Sequence, residues 1–134
     1  MRMLPPEQIE KVVQAYDDII VLLKSEDFLV NLIPNIQELE KMEARGIIVT
    51  APSCRYDFVS RFFAPKVGVN EDPATASAHC KLAHFCAQKI NKTKLHAYQA
   101  SQRGGELLLE IVGDRVLITG QAVTFLEGVL EKDI

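Results

Sequence analysis

The feature that most constrains this chain is a single long helix-forming stretch with a wide apolar arc, flanked by segments that read as strands. The stretch runs from about Ala76 to Ile90, and Asn91 closes it. At about 100° per residue, Ala78, His79, Leu82, Ala83, Phe85, Cys86 and Ile90 share one broad arc. Cys80, Lys81, His84 and Gln88 fall on the other side. A helix that is apolar over so wide an arc has to be largely wrapped, and the neighbouring strands are numerous enough to wrap it.

Residues 18–23 and 47–51 are β-rich and nearly all apolar, the pattern of buried strands. Residues 56–64 alternate in part and read as a third strand, and 65–73 as a loop. After the helix come four more strand-like segments, 95–100, 106–112, 115–119 and 121–130, separated by glycine-containing breaks. The pair Gly113-Asp114 suits a tight hairpin. Before the first strand, Pro5-Pro6-Glu7 is expected to open a helix to about Ala15. Ser25 caps a helical turn, and a further helix runs from Asn35 to about Lys41, with Gly46 expected as its terminator. Strands and helices followed by an antiparallel meander define an α+β fold.

A chain of 134 residues suits one domain, and 48% hydrophobic with 25% charged residues is an ordinary globular composition. The net charge is −3 and no basic run is present, which argues against a nucleic-acid partner. The longest apolar runs, such as 19–23, are far too short to span a bilayer, and residues 1–6 carry no apolar signal region. Three cysteines, Cys54, Cys80 and Cys86, are an odd count for a disulfide framework and point to a reducing cytoplasm.

Three groups of residues could carry chemistry. His79, Cys80, His84 and Cys86 resemble a metal set, but their wheel positions prevent convergence on one ion from a straight helix, so they read as packing. Glu71-Asp72-Pro73 leads into the long helix. There Asp72 lies close to the N–H groups of Thr75, Ala76, Ser77 and Ala78, which can hold a substrate carboxylate. A carboxyl group beside a bound anion is suited to general acid–base work, and the Ser77 hydroxyl either joins the same anion or caps the helix. The 99–105 loop contains Arg103, Gly104 and Gly105. It reads either as a hairpin loop or as a second set of contacts, guanidinium and glycine amides, to a ligand carboxylate.

Several ordered motifs resemble the PhzF-like (phenazine-biosynthesis-like) isomerase family. They are Tyr56-Asp57-Phe58-Val59-Ser60-Arg61-Phe62-Phe63-Ala64-Pro65, the run from Glu71-Asp72-Pro73 to His79, Tyr98-Gln99-Ala100-Ser101-Gln102-Arg103-Gly104-Gly105, and Gly120-Gln121-Ala122-Val123. The resemblance implies a diaminopimelate-epimerase-like fold, a curved and mostly antiparallel sheet around a central helix. It also implies that residues 1–134 correspond to the C-terminal one of two similar domains, with the active site in the cleft between them. The family's reaction is proton-transfer isomerisation of a small acidic metabolite, without metal or coenzyme. On this resemblance Asp72 and Ser77 are the catalytic contributions of this domain. The substrate-binding set is Glu71, Thr75, Ala76, Ala78, Arg103 and Gly104. The family usually has glycine where this chain has Ala76, and its acid–base glutamate lies in the other domain. The chain is therefore expected to be incomplete or inactive alone, or else to serve as a non-catalytic small-anion-binding or assembly domain. Expected partners are a small carboxylate metabolite and either a second copy or a separately encoded N-terminal half.

Overall fold

The computed structural model describes residues 4–132; the remaining positions of the expected 1–134 domain lie outside the described residues. Eight strands form one mixed sheet. They are β1 (Ile9–Ala15), β2 (Asp18–Leu23), β3 (Gly46–Ala51), β4 (Phe58–Ala64), β5 (Val69–Asp72), β6 (Lys94–Gln99), β7 (Gly105–Val112) and β8 (Arg115–Thr119). Two short helices, α1 (Glu26–Val30) and α2 (Ile36–Glu40), precede β3, and the long helix α3 (Ala76–Ile90) joins β5 to β6. The path across the sheet is β1-β2-β3-β4-β6-β7-β8, with β5 paired to β4 off that path. The β2–β3 and β4–β6 pairs are parallel and the others antiparallel.

The sheet curves around α3. Ile20, Ile48, Phe58, Phe62, Leu95, Ala97, Leu107 and Leu109 meet Ala78, Leu82, Ala83 and Cys86 in one core, with Ala15, Val116 and Ile118 packed at its margin. The arc expected from periodicity is thus the buried one, although Ile90 at its far end is 39% exposed. On the opposite face, Val21, Leu23, Val49, Val59 and Phe63 form a second core with Leu29, Leu32 and Leu39 from the α1–α2 segment. Burial on both faces explains why β2 and β3 are apolar at nearly every position.

Four local expectations are corrected. The N-terminal helix is a 3-10 turn, Pro6–Gln8, followed by strand β1. A two-residue turn with Tyr16 in the left-handed region folds Ala15 back onto Asp18, and pairing with the open edge of β2 outweighs local helix preference. Gly46 does not end a helix; it opens β3, where a Cβ would lie 2.3 Å from the Phe62 ring. The 65–73 loop contains strand β5. Residues 121–130, read as a strand, have no regular structure, and Phe125 and Leu130 are 98% and 97% exposed. They leave β8 at the edge of the sheet, and among the described residues no strand pairs with them. The two-residue turn at Gly113-Asp114, with Gly113 at φ +60°, is as expected.

One buried group couples the core to pH. His79 has no exposed surface, and its Nδ1 lies 2.7 Å from the Thr75 carbonyl, which can only accept. The ring proton is therefore on Nδ1, and Nε2 faces the core without a partner among the described residues. Burial, partly offset by the bond to Thr75, lowers the imidazole pKa below its ordinary value of 6.5. The unfolded chain then takes up the proton first, so stability is complete above pH 6.5 and declines as pH falls towards the folded-state value. Stability to denaturant should fall as pH drops from 7 to 5, by at most ~1.4 kcal/mol per pH unit, and His79→Leu should flatten the slope. An unchanged slope in that variant would assign the effect to other groups.

Candidate functional site

The site is built where the sheet branches. One edge of β4 pairs with β3 along its length. The other edge is divided: Phe58 to Ser60 pair with β6, and Phe62 and Ala64 pair with β5. Ser60 aligns with Gln99 and Phe62 with Asp72, so the ends of β5 and β6 arrive side by side. The chain leaves Asp72 through Pro73 and Ala74 and enters α3 with Thr75 as its N-cap. A carboxylate, a helix start and the 100–104 loop are thereby gathered at one end of the sheet.

Gln99 ties these parts together. It is fully buried, and its Oε1 accepts the Thr75 amide at 2.8 Å. Its Nε2 donates to the Asp72 carbonyl at 2.6 Å and to Thr75 Oγ1 at 3.1 Å. Thr75 Oγ1 in turn donates to Asp72 Oδ2. The order of donation is fixed, from Gln99 through Thr75 to the carboxylate, so Asp72 is aimed by a buried amide. No local pattern assigns Gln99 to the site, because a glutamine on an alternating strand shows its burial only once the strand's partners are known.

The same chain changes the expected donor set. The Thr75 amide is occupied by Gln99, and the first amide to bond within α3 is His79, to the Thr75 carbonyl. The first-turn amides are then Ala76, Ser77 and Ala78, which have no acceptor within the helix itself. Ala76 stands at the first helical position and has no positive φ, so its methyl brings no backbone strain there. Ser77 does not cap the helix. Its exposed hydroxyl instead accepts from Arg45 Nη1 at 3.1 Å.

Glu71 is engaged elsewhere. Its carboxylate receives Arg61 Nε at 2.8 Å and Nη2 at 2.9 Å in a two-pronged pair. The third arm of Arg61 closes the last carbonyls of the α1 segment, Leu29 and Leu32, at 3.2 and 2.6 Å. Arg61 is 8% exposed, so Glu71 neutralises a buried cation and thereby anchors β5 to β4. Arg103 is exposed and lines a cleft of about 330 Å³ with Glu71, Pro73, Ser101 and Gln102.

Gly104 turns the loop in the left-handed region. Its amide donates to Ser101 Oγ at 3.0 Å, and Ser101 Oγ donates to the Pro73 carbonyl at 2.8 Å, which clips the loop onto the entry to α3. The amide proposed from sequence as a ligand contact is thus used within the loop. Gly104 has φ +75°, and a Cβ on it would fall 2.0 Å from the Tyr98 hydroxyl.

Residues 5–128 match the family model for phenazine biosynthesis-like proteins. An uncharacterized isomerase of Halalkalibacterium halodurans is 50% identical over 115 residues, covering 84% of this chain and 43% of the relative. The human phenazine biosynthesis-like domain-containing protein is 43% identical over 114 residues, covering 77% of this chain and 40% of the relative. A crystal structure of a Clostridium difficile PhzC/PhzF protein superimposes with a TM-score of 0.83 at 38% identity, covering 96% of this chain and 52% of that one. The chain belongs to the PhzF-like, phenazine biosynthesis-like family, and it spans about half the length of the curated relatives it matches.

Gly104→Ala tests the loop. The left-handed φ and the overlap with Tyr98 should together cost about 2 kcal/mol or more. Thermal unfolding should register that loss, and Tyr98→Phe in the same chain should recover part of it. A Gly104→Ala chain as stable as wild type would mean the loop does not need this conformation.

Proposed function

We propose that this domain forms one wall of an isomerase site that moves a proton on a small carboxylate metabolite. The observation that carries the reading is the buried Gln99–Thr75 chain that aims the Asp72 carboxylate beside the start of α3. Asp72 is the acid–base group of this wall. Ser77 and the amides of Ala76 and Ala78 receive the substrate carboxylate, and Arg103 faces it across the adjoining cleft. Isomerase-named relatives support the reaction class. No cofactor enters the scheme, because Asp72 and an acid–base group on the second wall suffice to carry a proton between two carbons.

The second wall is proposed to come from a second copy of this chain or from a separately encoded N-terminal half. The exposed apolar residues Val123, Phe125, Leu126, Val129 and Leu130 favour such an assembly, since a run of this kind in water marks an interface. A domain that only binds anions or assembles is the alternative, and the same apolar run favours its assembly role. Among the described residues no helix is long and apolar enough to cross a membrane. A cytoplasmic setting rests on the three free thiols.

Purified chain, sized by light scattering and assayed with a dihydro-hydroxyanthranilate-type substrate, tests the reading. As a monomer it should fold and show negligible turnover. Turnover should appear in the assembled form and fall by roughly 10²- to 10⁴-fold in Asp72→Asn. Full turnover by a monomer, or an assembled Asp72→Asn protein as active as wild type, would overturn it.

A further inference from the structure

The Ser77 hydroxyl is held from behind by an ion cluster that packing alone does not require. Asp18, at the start of β2, has no exposed surface. Arg45 Nε donates to its Oδ1 at 2.9 Å and Nη2 to its Oδ2 at 2.5 Å. Lys81, one turn along α3 from Ser77, bridges Asp17 and Asp18. The Arg45 backbone amide donates to the Asp17 carbonyl at 2.7 Å, and the guanidinium lies over the Phe62 ring, 5.2 Å from its centroid. Two arms of the fork are therefore fixed by a buried carboxylate, and the third, Nη1, reaches Ser77 Oγ.

A guanidinium has five donors and no acceptor. When Arg45 donates to Ser77 Oγ, the hydroxyl proton cannot return to it and has to point elsewhere. Ser77 Oγ is exposed, so its proton is free to point towards the open side of the helix start.

We propose that Arg45, clamped on Asp18, is a positioning residue that fixes Ser77 as a hydroxyl donor to the substrate carboxylate. The proposal rests on the functional reading above and deepens it: Ser77 is a donor to a bound anion and not a base or nucleophile. Lysine cannot replace arginine here, because one ammonium cannot span both Asp18 oxygens and Ser77 in a fixed plane.

The test uses the isotopically labelled full chain, with malonate as the probe anion, in wild type, Arg45→Met, Arg45→Lys, Ser77→Ala and the Arg45→Met/Ser77→Ala double variant. Ser77 three-bond Hα–Hβ couplings should report one side-chain rotamer in wild type and averaging in both Arg45 variants. Arg45→Lys keeps the charge beside Asp18 and guards against a methionine variant that does not fold. Malonate affinity, read from the amide shifts of Ala76 to Ala78, should fall roughly tenfold in Ser77→Ala and in Arg45→Met. The double variant should be no weaker than either single one, because Arg45 acts through Ser77. Losses that multiply to roughly a hundredfold would make Arg45 an independent cation and overturn the proposal. Averaging of Ser77 in wild type would overturn Arg45's role alone. A wild-type chain with Ser77 fixed but no malonate binding would instead remove the carboxylate reading beneath it.

Discussion

Everything at the candidate site depends on the division of one strand edge. β4 can present only one row of backbone groups on its far side, and that row is shared between β5 and β6. Because β5 takes the end at Phe62 and β6 the end at Ser60, the two strands cannot continue past each other. Both must leave the sheet at the same place, one into α3 and the other into the 100–104 loop. Asp72 and Gln99 are the residues at that exit, and their side chains and backbone bond across it. The geometry of the site is thus a consequence of sheet topology, not of loop chemistry.

The branch is maintained by buried polar groups that are paired on both sides. Arg61, between Ser60 and Phe62, carries a cation into the protein interior, and Glu71 and two α1-segment carbonyls satisfy it. Gln99 uses both ends of its amide. Asp18 is met by Arg45 and Lys81. Leaving any of these groups unpaired would cost far more than its bonds gain, so each holds its neighbours in register. Directly or through Arg45, each of them reaches the first turn of α3 or the strand that feeds it, which ties fold stability to site geometry. Cys86, in contrast, sits in the α3 core with its thiol pushed up to about 12 by burial, and it is a packing residue.

The sequence made some of this legible and concealed the rest for physical reasons. The α3 arc was readable because its period is local, and Ala76–Ile90 is helical as expected. The buried runs of β2 and β3 were readable because two-sided burial leaves a continuous apolar run. β1 was not, since its identity depends on the β2 edge, and Ile9–Ala15 taken alone has no clear alternation. Gly46 misled because glycine ends helices more often than it makes room for an aromatic ring, and Phe62 is distant in sequence. At the site, the motifs placed Asp72, Thr75 and Ser77 around one helix start, but Glu71 was drawn away by Arg61 and the Gly104 amide by Ser101. Gln99 and Arg45 were missed because their importance lies in long-range hydrogen bonds, across 24 and 32 residues of chain, that no local pattern encodes.

A buried amide on β6 aims Asp72 by holding Thr75. Hydrogen exchange of the Thr75 amide tests it most directly, because that N–H lies outside the helix's own bonding pattern and its acceptor is the Gln99 side chain. The Thr75 amide should exchange as slowly as the core strands in wild type and should open by local fluctuation in Gln99→Leu. A Thr75 amide that exchanges freely in the folded wild-type chain would contradict it.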